Sequence, residues 1–383
     1  MLFIIYSVFS ILLTIAYIVI VQQYRNGWKE LSAWNLPPDF EAKTSISVLI
    51  PARNEAENIV ACLNSILQQS YPNSIWEVIV LDDHSTDETA DLVKQIDAPN
   101  IRLLHLADFV EAGETQSFKK KAIEVGVAEA KGDLIVTTDA DCIVQGDWLT
   151  LIASFYQAKS CKFIAAPVNF HQEQNVLERF QSLDFLGMMG TAGGGIQRQF
   201  MRMCNGANLA YEKAIFYEVS GFEGINEMAS GDDMLLMQKV AARYPEGIGY
   251  LKNLRATTYT TAKPTFTSFF RQRLRWATKS SSYQEAQVTF ILALVFFFCC
   301  DILFSFFALL FWTKQAIIIF LFSLIIKALM DYLFLSEMSK FFQRQDLMRS
   351  FLPSFFMHIG YIIFVGFAAN LVKQYEWKGR KVR

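Results

Sequence analysis

Three acidic segments could do chemistry together: Asp82-Asp83, Asp139-Ala140-Asp141 and Asp232-Asp233. The first two end short apolar runs, and the third follows a Ser230-Gly231 turn. Clustered carboxylates repel one another unless a cation or hydrogen-bond donors occupy the gap. A divalent cation bound to a diphosphate would fill it. Magnesium or manganese takes one or two carboxylates, with phosphate oxygens and water completing the shell. Each segment alone has an ordinary explanation. Asp82-Asp83-His84-Ser85 can be a turn and a cap, and Asp139 and Asp141 a solvated loop. Three segments at matching positions point instead to metal-assisted work on a phosphorylated donor.

The positioning elements are legible nearby. Ile46 to Ile50 reads as a strand stopped by Pro51, and Ala56 to Gln69 as a helix with apolar spacing at Ile59, Leu63, Ile66 and Leu67. Trp76 to Leu81 and Ile101 to Leu106 read as further strands. Between them Ser85 and Glu88 have capping-box spacing ahead of a helix through Leu92, Val93 and Ile96. Lys119 to Lys131 is a predicted helix stopped by Gly132, and Asp133 to Thr138 a fourth strand. Alternating strands and helices imply a mostly parallel, covered α/β sheet. Ligands bind such sheets beyond the carboxyl ends of the strands, where Asp82-Asp83 and Asp139 to Asp141 fall.

Taken in order, the motifs resemble the family 2 glycosyltransferases over about Ser45 to Lys279. Ser47 to Glu55 is similar to that family's opening strand and nucleotide turn, and Val80 to Asp87 to its second nucleotide motif. Asp139-Ala140-Asp141 resembles its D-x-D. Gly206-Ala207-Asn208 and Ser220-Gly221-Phe222 resemble a segment lining the sugar and acceptor region. Gly231-Asp232-Asp233 resembles the acidic pair that ends in the base, and Gln272-Arg273-Leu274-Arg275-Trp276 carries the full Q-x-x-R-W signature. The resemblance implies a GT-A fold, an α/β sandwich around a mostly parallel sheet. It implies that Pro51, Arg53, Glu55 and Asp83 hold the nucleoside, and that Asp139 and Asp141 hold magnesium or manganese on the diphosphate. It implies Asp233 as general base, with Gln272, Arg275 and Trp276 serving the diphosphate and acceptor. Asp232 departs from the glutamate common at that position, so its own role is open. Lys119-Lys120-Lys121 falls where the family often has a lysine near the nucleotide; a solvated helix face accounts for at least two of them. The resemblance also implies inversion, with a uridine diphosphate sugar as donor.

At 100° per residue, Phe266, Phe269, Phe270, Leu274 and Ala277 share one helix face, and Gln272, Arg275, Trp276 and Lys279 another. Such a helix beside membrane spans can lie in the interface, apolar face to lipid or spans and polar face to the active site. Core packing is the ordinary alternative. Asn175 to Met189 is read as either a second interfacial helix or a core helix.

Apolar residues form 52% of the 383, and they concentrate at the two ends. Met1 to Tyr24 carries no charge and is long enough to span a bilayer. Its uncharged start, long apolar run and bulky Gln22-Gln23-Tyr24 favour an anchor over a cleaved signal. Val288 to Thr313, Gln315 to Leu335 and Phe351 to Val372 are long enough too, with Lys327 and Asp331 spaced to pair inside one of them. The expected organisation is an anchor over 1–24, an interfacial linker over 25–44, a GT-A domain over 45–283, a membrane region over 288–372 and a basic tail over 373–383. Arg25 and Lys29 place the GT-A domain on the cytoplasmic side of a multi-pass protein of the cell membrane. Three full C-terminal crossings would then carry the basic tail outside. One of them, first Phe351 to Val372, is therefore expected to be re-entrant or interfacial. A net charge of -2 excludes a broad basic surface for nucleic acid. The six cysteines show no zinc or disulfide spacing.

The reading is a membrane-anchored inverting glycosyltransferase acting on a lipid-linked or glycan acceptor among membrane lipids. A transporter or channel would explain the spans but not the D-x-D and Q-x-x-R-W motifs. A nucleotidyltransferase would use a similar sheet but release pyrophosphate, and an inactive sugar-nucleotide binder would not need the intact acidic set.

Overall fold

The computed structural model describes residues 1–110, 117–226, 231–277, 286–308, 314–371, 375–377 and 380–382. Ser230, Lys279, Thr313, Val372 and much of the tail lie outside them. The chain forms two compact units.

One unit comprises Ser32–Gln172, Met203–Thr261 and Gln374–Arg383. Its strands are β1 (Ile46–Ala52), β2 (Trp76–Asp82), β3 (Ile101–His105), β4 (Leu134–Thr137), β5 (Phe163–Ala165), β7 (Leu209–Glu212) and β8 (Ile248–Tyr250), in the order β3-β2-β1-β4-β7-β5-β8. The β3-β2-β1-β4 half is parallel, and β7 runs antiparallel to both β4 and β5. A side pair joins β6 (Val168–His171) to β9 (Thr258–Thr261), and β10 (Tyr375–Trp377) pairs with β11 (Arg380–Val382). Helices α2 (Ile59–Leu67), α3 (Thr89–Lys94), α4 (Phe118–Glu129), α5 (Trp148–Lys159), α7 (Lys213–Glu218) and α8 (Met234–Arg243) complete the unit. Val48, Ile50, Val78, Val80 and Val136 form a fully buried stripe packed with Ile59, Leu63, Trp148 and Ile152. Burial on both faces explains why these strands are continuous apolar runs.

Pro51 does not end β1. It stays in register opposite Leu81, and Ala52 is the last residue. The Leu49 carbonyl accepts from Thr138 N–H on the β4 side, so alternation turns Pro51 to that side, beyond the last β4 partner. A missing N–H costs nothing there. The expected capping box is also absent. Glu88, without a side-chain cap, precedes α3, and Ser85 Oγ instead accepts from Asn54 N–H at 3.0 Å. The helix expected from Ala56 starts at Ile59, because Glu55 and Ala56 N–H donate to Thr89 Oγ1 and Asp87.

The other unit comprises Met1–Leu31, Glu173–Arg202 and Ala262–Lys373. It contains α1 (Leu2–Glu30), α6 (Val176–Gln197), α9 (Phe266–Ala277), α10 (Ala286–Ala308), α11 (Lys314–Phe341) and α12 (Phe351–Leu371). Four stretches, Phe3–Glu30, Gln287–Ala308, Ala316–Phe341 and Gln345–Ala369, are long and apolar enough to cross a membrane. Helix α6 is buried along most of its length, as a core helix is. Its Asn175 cap accepts from Glu178 N–H, and Glu178 accepts from Gln174 N–H. Gly194 and Gly27 let α6 and α1 touch backbone to backbone: a Cβ on either would meet a carbonyl oxygen at 2.3 Å. Inside the unit Lys327 and Asp331 do pair, at 2.6 Å, beside the Tyr17 hydroxyl.

Candidate active site

The ends of β1 and β2 build the first part of the site. Arg53 crosses between them and donates through Nη1 to the Asp83 and His84 carbonyls at 2.7 and 2.8 Å. Asn54 and His84 both take left-handed backbone conformations, with φ of 51° and 53°, which turns the two strand ends into facing loops. Asn54 closes the gap by accepting from Thr86 N–H at 2.8 Å. The two aspartates of the second motif have different surroundings. Asp82 accepts from Ser85 N–H and lies 3.0 Å from His105 Nδ1. Asp83 lies 3.0 Å from His84 Nδ1. Glu55 accepts from the Asn58 amide at 2.9 Å.

The second part is an acidic centre with a lysine in it. Asp139 and Asp141 follow β4, and with Cys142 their ligand atoms lie within 4.8 Å of one another. Lys119 of α4 reaches Asp139 at 2.7 Å and Asp232 at 3.3 Å. Burial alone would favour the neutral amine, yet Asp139 and Asp232 outweigh it and hold the ammonium charged. Asp233 caps α8: its carboxylate accepts from Met234 N–H at 2.7 Å and from Gly206 N–H at 3.2 Å. Gly206 lies close against these carboxylates. A Cβ there would stand 3.3 Å from Asp232 Oδ2 and 3.6 Å from Lys119 Nζ. Thr137 Oγ1 at the end of β4 donates to the Gly206 carbonyl and fixes that turn.

The donor set fits a hard divalent cation. Asp139 and Asp141 offer carboxylate oxygens, the preferred ligands of magnesium and manganese. Without a cation, burial, then Asp141 and Asp139, push the Cys142 thiol well up, and a hard cation prefers the carboxylate oxygens to its sulfur. Cys62, under the same loop, is pushed up for the same reasons.

The lysine run divides three ways. Lys119 enters the acidic centre, Lys120 is buried with its ammonium on the Ile225 carbonyl, and Lys121 pairs with Glu124. The expectation of two solvated lysines therefore holds for one at most. Asn208 is fully buried, accepting from Trp148 Nε1 and donating to the Pro167 and Ala256 carbonyls. Its side chain ties Trp148 to the Pro167 and Ala256 backbone, whereas Gly206 faces the carboxylates.

Gln272, Arg275 and Trp276 stand on α9, in the other unit. The faces expected from helical spacing shift there. Phe269 and Arg273 are the buried line of α9, while Phe266 is exposed. Arg273, inside the signature but not one of its named letters, pairs with Asp184 of α6 at 2.9 Å and lies 4.5 Å over the Trp276 ring. Sequence reasoning missed both Arg273 and Asp184. A second arginine on an aromatic helix face was the available signal. The Gln272 side-chain oxygen is buried and makes no hydrogen bond among the described residues.

Comparison with known sequences decides the family. A profile described as "Glycosyl transferase family 2" matches residues 47–220, and one described as "Glycosyl transferase family group 2" matches residues 134–367. The chain belongs to the family 2 glycosyltransferases. Glycosyltransferase AglE of Haloferax volcanii is 31% identical over 125 residues, 33% of this chain and 40% of that protein. The probable glycosyltransferase YdaM of Bacillus subtilis is 26% identical over 240 residues, 61% of this chain and 54% of its own length. A 4,4'-diaponeurosporenoate glycosyltransferase of Staphylococcus aureus is 31% identical over 140 residues, 36% of this chain and 35% of that one. The chain thus spans about half or less of each of these relatives. Among solved structures, the mannosyltransferase PcManGT of Pyrobaculum calidifontis, in complex with GDP-Man and Mn2+, matches with a TM-score of 0.58 at 17% identity. The match covers 96% of this chain and 99% of that one, and it establishes the GT-A fold.

Proposed function

We propose that this family 2 protein transfers a sugar, with inversion, from a nucleoside-diphosphate donor to a membrane-proximal lipid or glycan acceptor. The observation that carries the reading is the acidic centre. Carboxylates from the end of β4 and the start of α8 meet around one lysine, beside the loops closed by Arg53. That is the composition a leaving diphosphate and its cation require.

In this reading Pro51, Arg53, Glu55 and Asp83 form the nucleoside pocket. Asp139 and Asp141 would hold magnesium or manganese, which when bound neutralises charge on the departing diphosphate. Lys119 offsets part of the charge of Asp139 and Asp232 and could donate to a diphosphate oxygen in their place. Asp233, oriented by two backbone N–H groups, receives the proton of the acceptor hydroxyl. Gln272, Arg275 and Trp276 serve the diphosphate and acceptor. Uridine diphosphate is the proposed carrier. This reading takes the chain as a multi-pass protein of the cell membrane with the sheet-bearing unit cytoplasmic.

The test is turnover by the full chain in membrane vesicles with a panel of UDP- and GDP-sugars. Release of nucleoside diphosphate that depends on manganese or magnesium is expected. Release of pyrophosphate, or no turnover with any donor, overturns the reading.

A further inference from the structure

Helix α12 has the length of a span but does not run alongside the others. Tyr17 of α1 marks one level in the bundle: its hydroxyl is 3.3 Å from Lys327 of α11, and its ring packs on Phe298 of α10 at 4.7 Å. Near the start of α12, the Phe355 ring lies 5.4 Å from Lys327 Nζ. Phe367, far along the same helix, packs at 5.2 Å on Phe296, two residues from Phe298. Phe355 to Phe367 covers about 18 Å of helix. An aligned span would change level by that amount. Helix α12 therefore crosses α10 and α11, at the level of Tyr17.

Beneath it lies a cavity of about 670 Å³. Its floor is Ile302 and Phe306 of α10 with Phe320 and Leu324 of α11, and its roof includes Ile363 and Phe367. All the lining residues are apolar. Phe306 and Phe320 pack at 5.6 Å, rings tilted, where α10 and α11 adjoin, away from the ionic end where Arg25 and Lys29 meet Glu337. The cavity is thus on the side of α12 away from that ionic end. It is continuous with the exposed apolar surface, since Phe306 and Phe367 are 49% and 59% exposed. Its volume suits a small-molecule ligand, for which pockets of roughly 300–1,000 Å³ are usual. Two details connect it to function. Phe364 in its wall packs at 4.7 Å on Phe270 of α9, the helix that carries Gln272, Arg275 and Trp276. At Gly360, also in the wall, an added Cβ would meet nothing within 4 Å.

We propose that this cavity holds the hydrocarbon tail of the acceptor lipid and so delivers its head end to the Q-x-x-R-W helix. The inference rests on the membrane-proximal acceptor reading and narrows it to a lipid. The tail enters sideways from the leaflet, under α12, and Phe364 and Phe270 form the continuous apolar path from tail to α9.

Gly360→Leu tests this, because the new side chain grows into open space and favours the helix. The full chain is placed in phosphatidylcholine vesicles with a photoreactive long-chain polyprenyl phosphate as probe. Cross-links are expected at Phe356 and Ile363 in excess of lipid-facing Ile318. Unlabelled long-chain probe should remove them, and a short-chain analogue should not. Gly360→Leu should lower them, and transfer to lipid, by roughly tenfold or more, since losing a few buried methylenes forfeits that affinity. Donor turnover to water should be unchanged. Photoreactive phosphatidylcholine that labels the cavity without displacement by the long-chain probe shows bulk lipid there and overturns the proposal. So does Gly360→Leu with undiminished lipid transfer. Donor turnover by the wild type with transfer only to soluble acceptors also overturns it, while leaving the glycosyltransferase reading intact. Absence of any sugar-nucleotide turnover overturns that reading instead, and the cross-linking still decides the cavity.

Discussion

Asp232 and Asp233 are neighbours with different environments, in keeping with the different roles proposed for them. Asp232 is paired with Lys119, whereas Asp233 accepts two backbone N–H groups that fix its orientation. Asp233→Asn keeps the size and the cap but cannot take a proton. Transfer should fall by at least about 10²-fold, in turnover rather than donor affinity. Asp83→Asn should instead weaken nucleotide binding, by roughly tenfold, because an acceptor is partly replaced by a donor. Titrating nucleoside diphosphate into both variants separates the roles. Equal loss of binding would make Asp233 structural or metal-bound and turn the search to Asp232. Asp141→Ala should abolish metal-dependent turnover while the protein still inserts in membranes, and full activity in excess chelator would remove the metal from the account. The acidic residues were legible in the sequence because each sits at a strand or helix end. Lys119 was not separable from Lys120 and Lys121, since three adjacent lysines differ only in where the helix turns them.

At the scale of elements, α9 and α6 are held by a buried ion pair that spacing alone did not reveal. Arg273 and Asp184 are almost fully buried, and Tyr361 of α12 also donates to Asp184. Removing one partner of such a pair leaves an uncompensated charge, at a cost of about 3–5 kcal/mol. Arg273→Met or Asp184→Leu alone should therefore lower thermal stability sharply, and the double variant should recover most of it. Additive losses in the double variant would show that the two charges do not compensate each other. Amphipathic spacing indicated that α9 has an apolar line. Yet a long arginine can lie along aromatic rings and carry its charge to a distant partner, so the buried line includes Arg273 as well as Phe269. The Ser85 capping box failed for a related reason: the loop from Asn54 competes for the same hydroxyl.

For the whole molecule, the course of α12 bears on the basic tail. If α12 crosses its neighbours rather than the membrane, α1, α10 and α11 are the proposed crossings. On the proposed reading, three crossings would leave the basic tail on the cytoplasmic side. A cysteine introduced as Lys381→Cys should react with a membrane-impermeant maleimide only after cells are permeabilised. Ready labelling in intact cells would restore α12 as a fourth crossing and place the tail outside. The positive charges of the tail favour the cytoplasmic side for the same reason that Arg25 and Lys29 do.

The sequence by itself determined the class of this protein. Periodicity marked the strands and helices of the parallel half of the sheet, the ordered motifs marked the family, and apolar length marked the helices able to cross a membrane. These are local properties, set by a residue and its near neighbours. Tertiary structure decided which lysine enters the acidic centre, which aspartate caps α8, that Pro51 stays in its strand, and that Asp184 meets Arg273. It also decided that α12, long enough to span, runs across its neighbours. All but the α8 cap, which Asp233 makes to the next residue, depend on partners far away in the chain, and hydrophobic length records only that a helix avoids water, not the direction in which it lies.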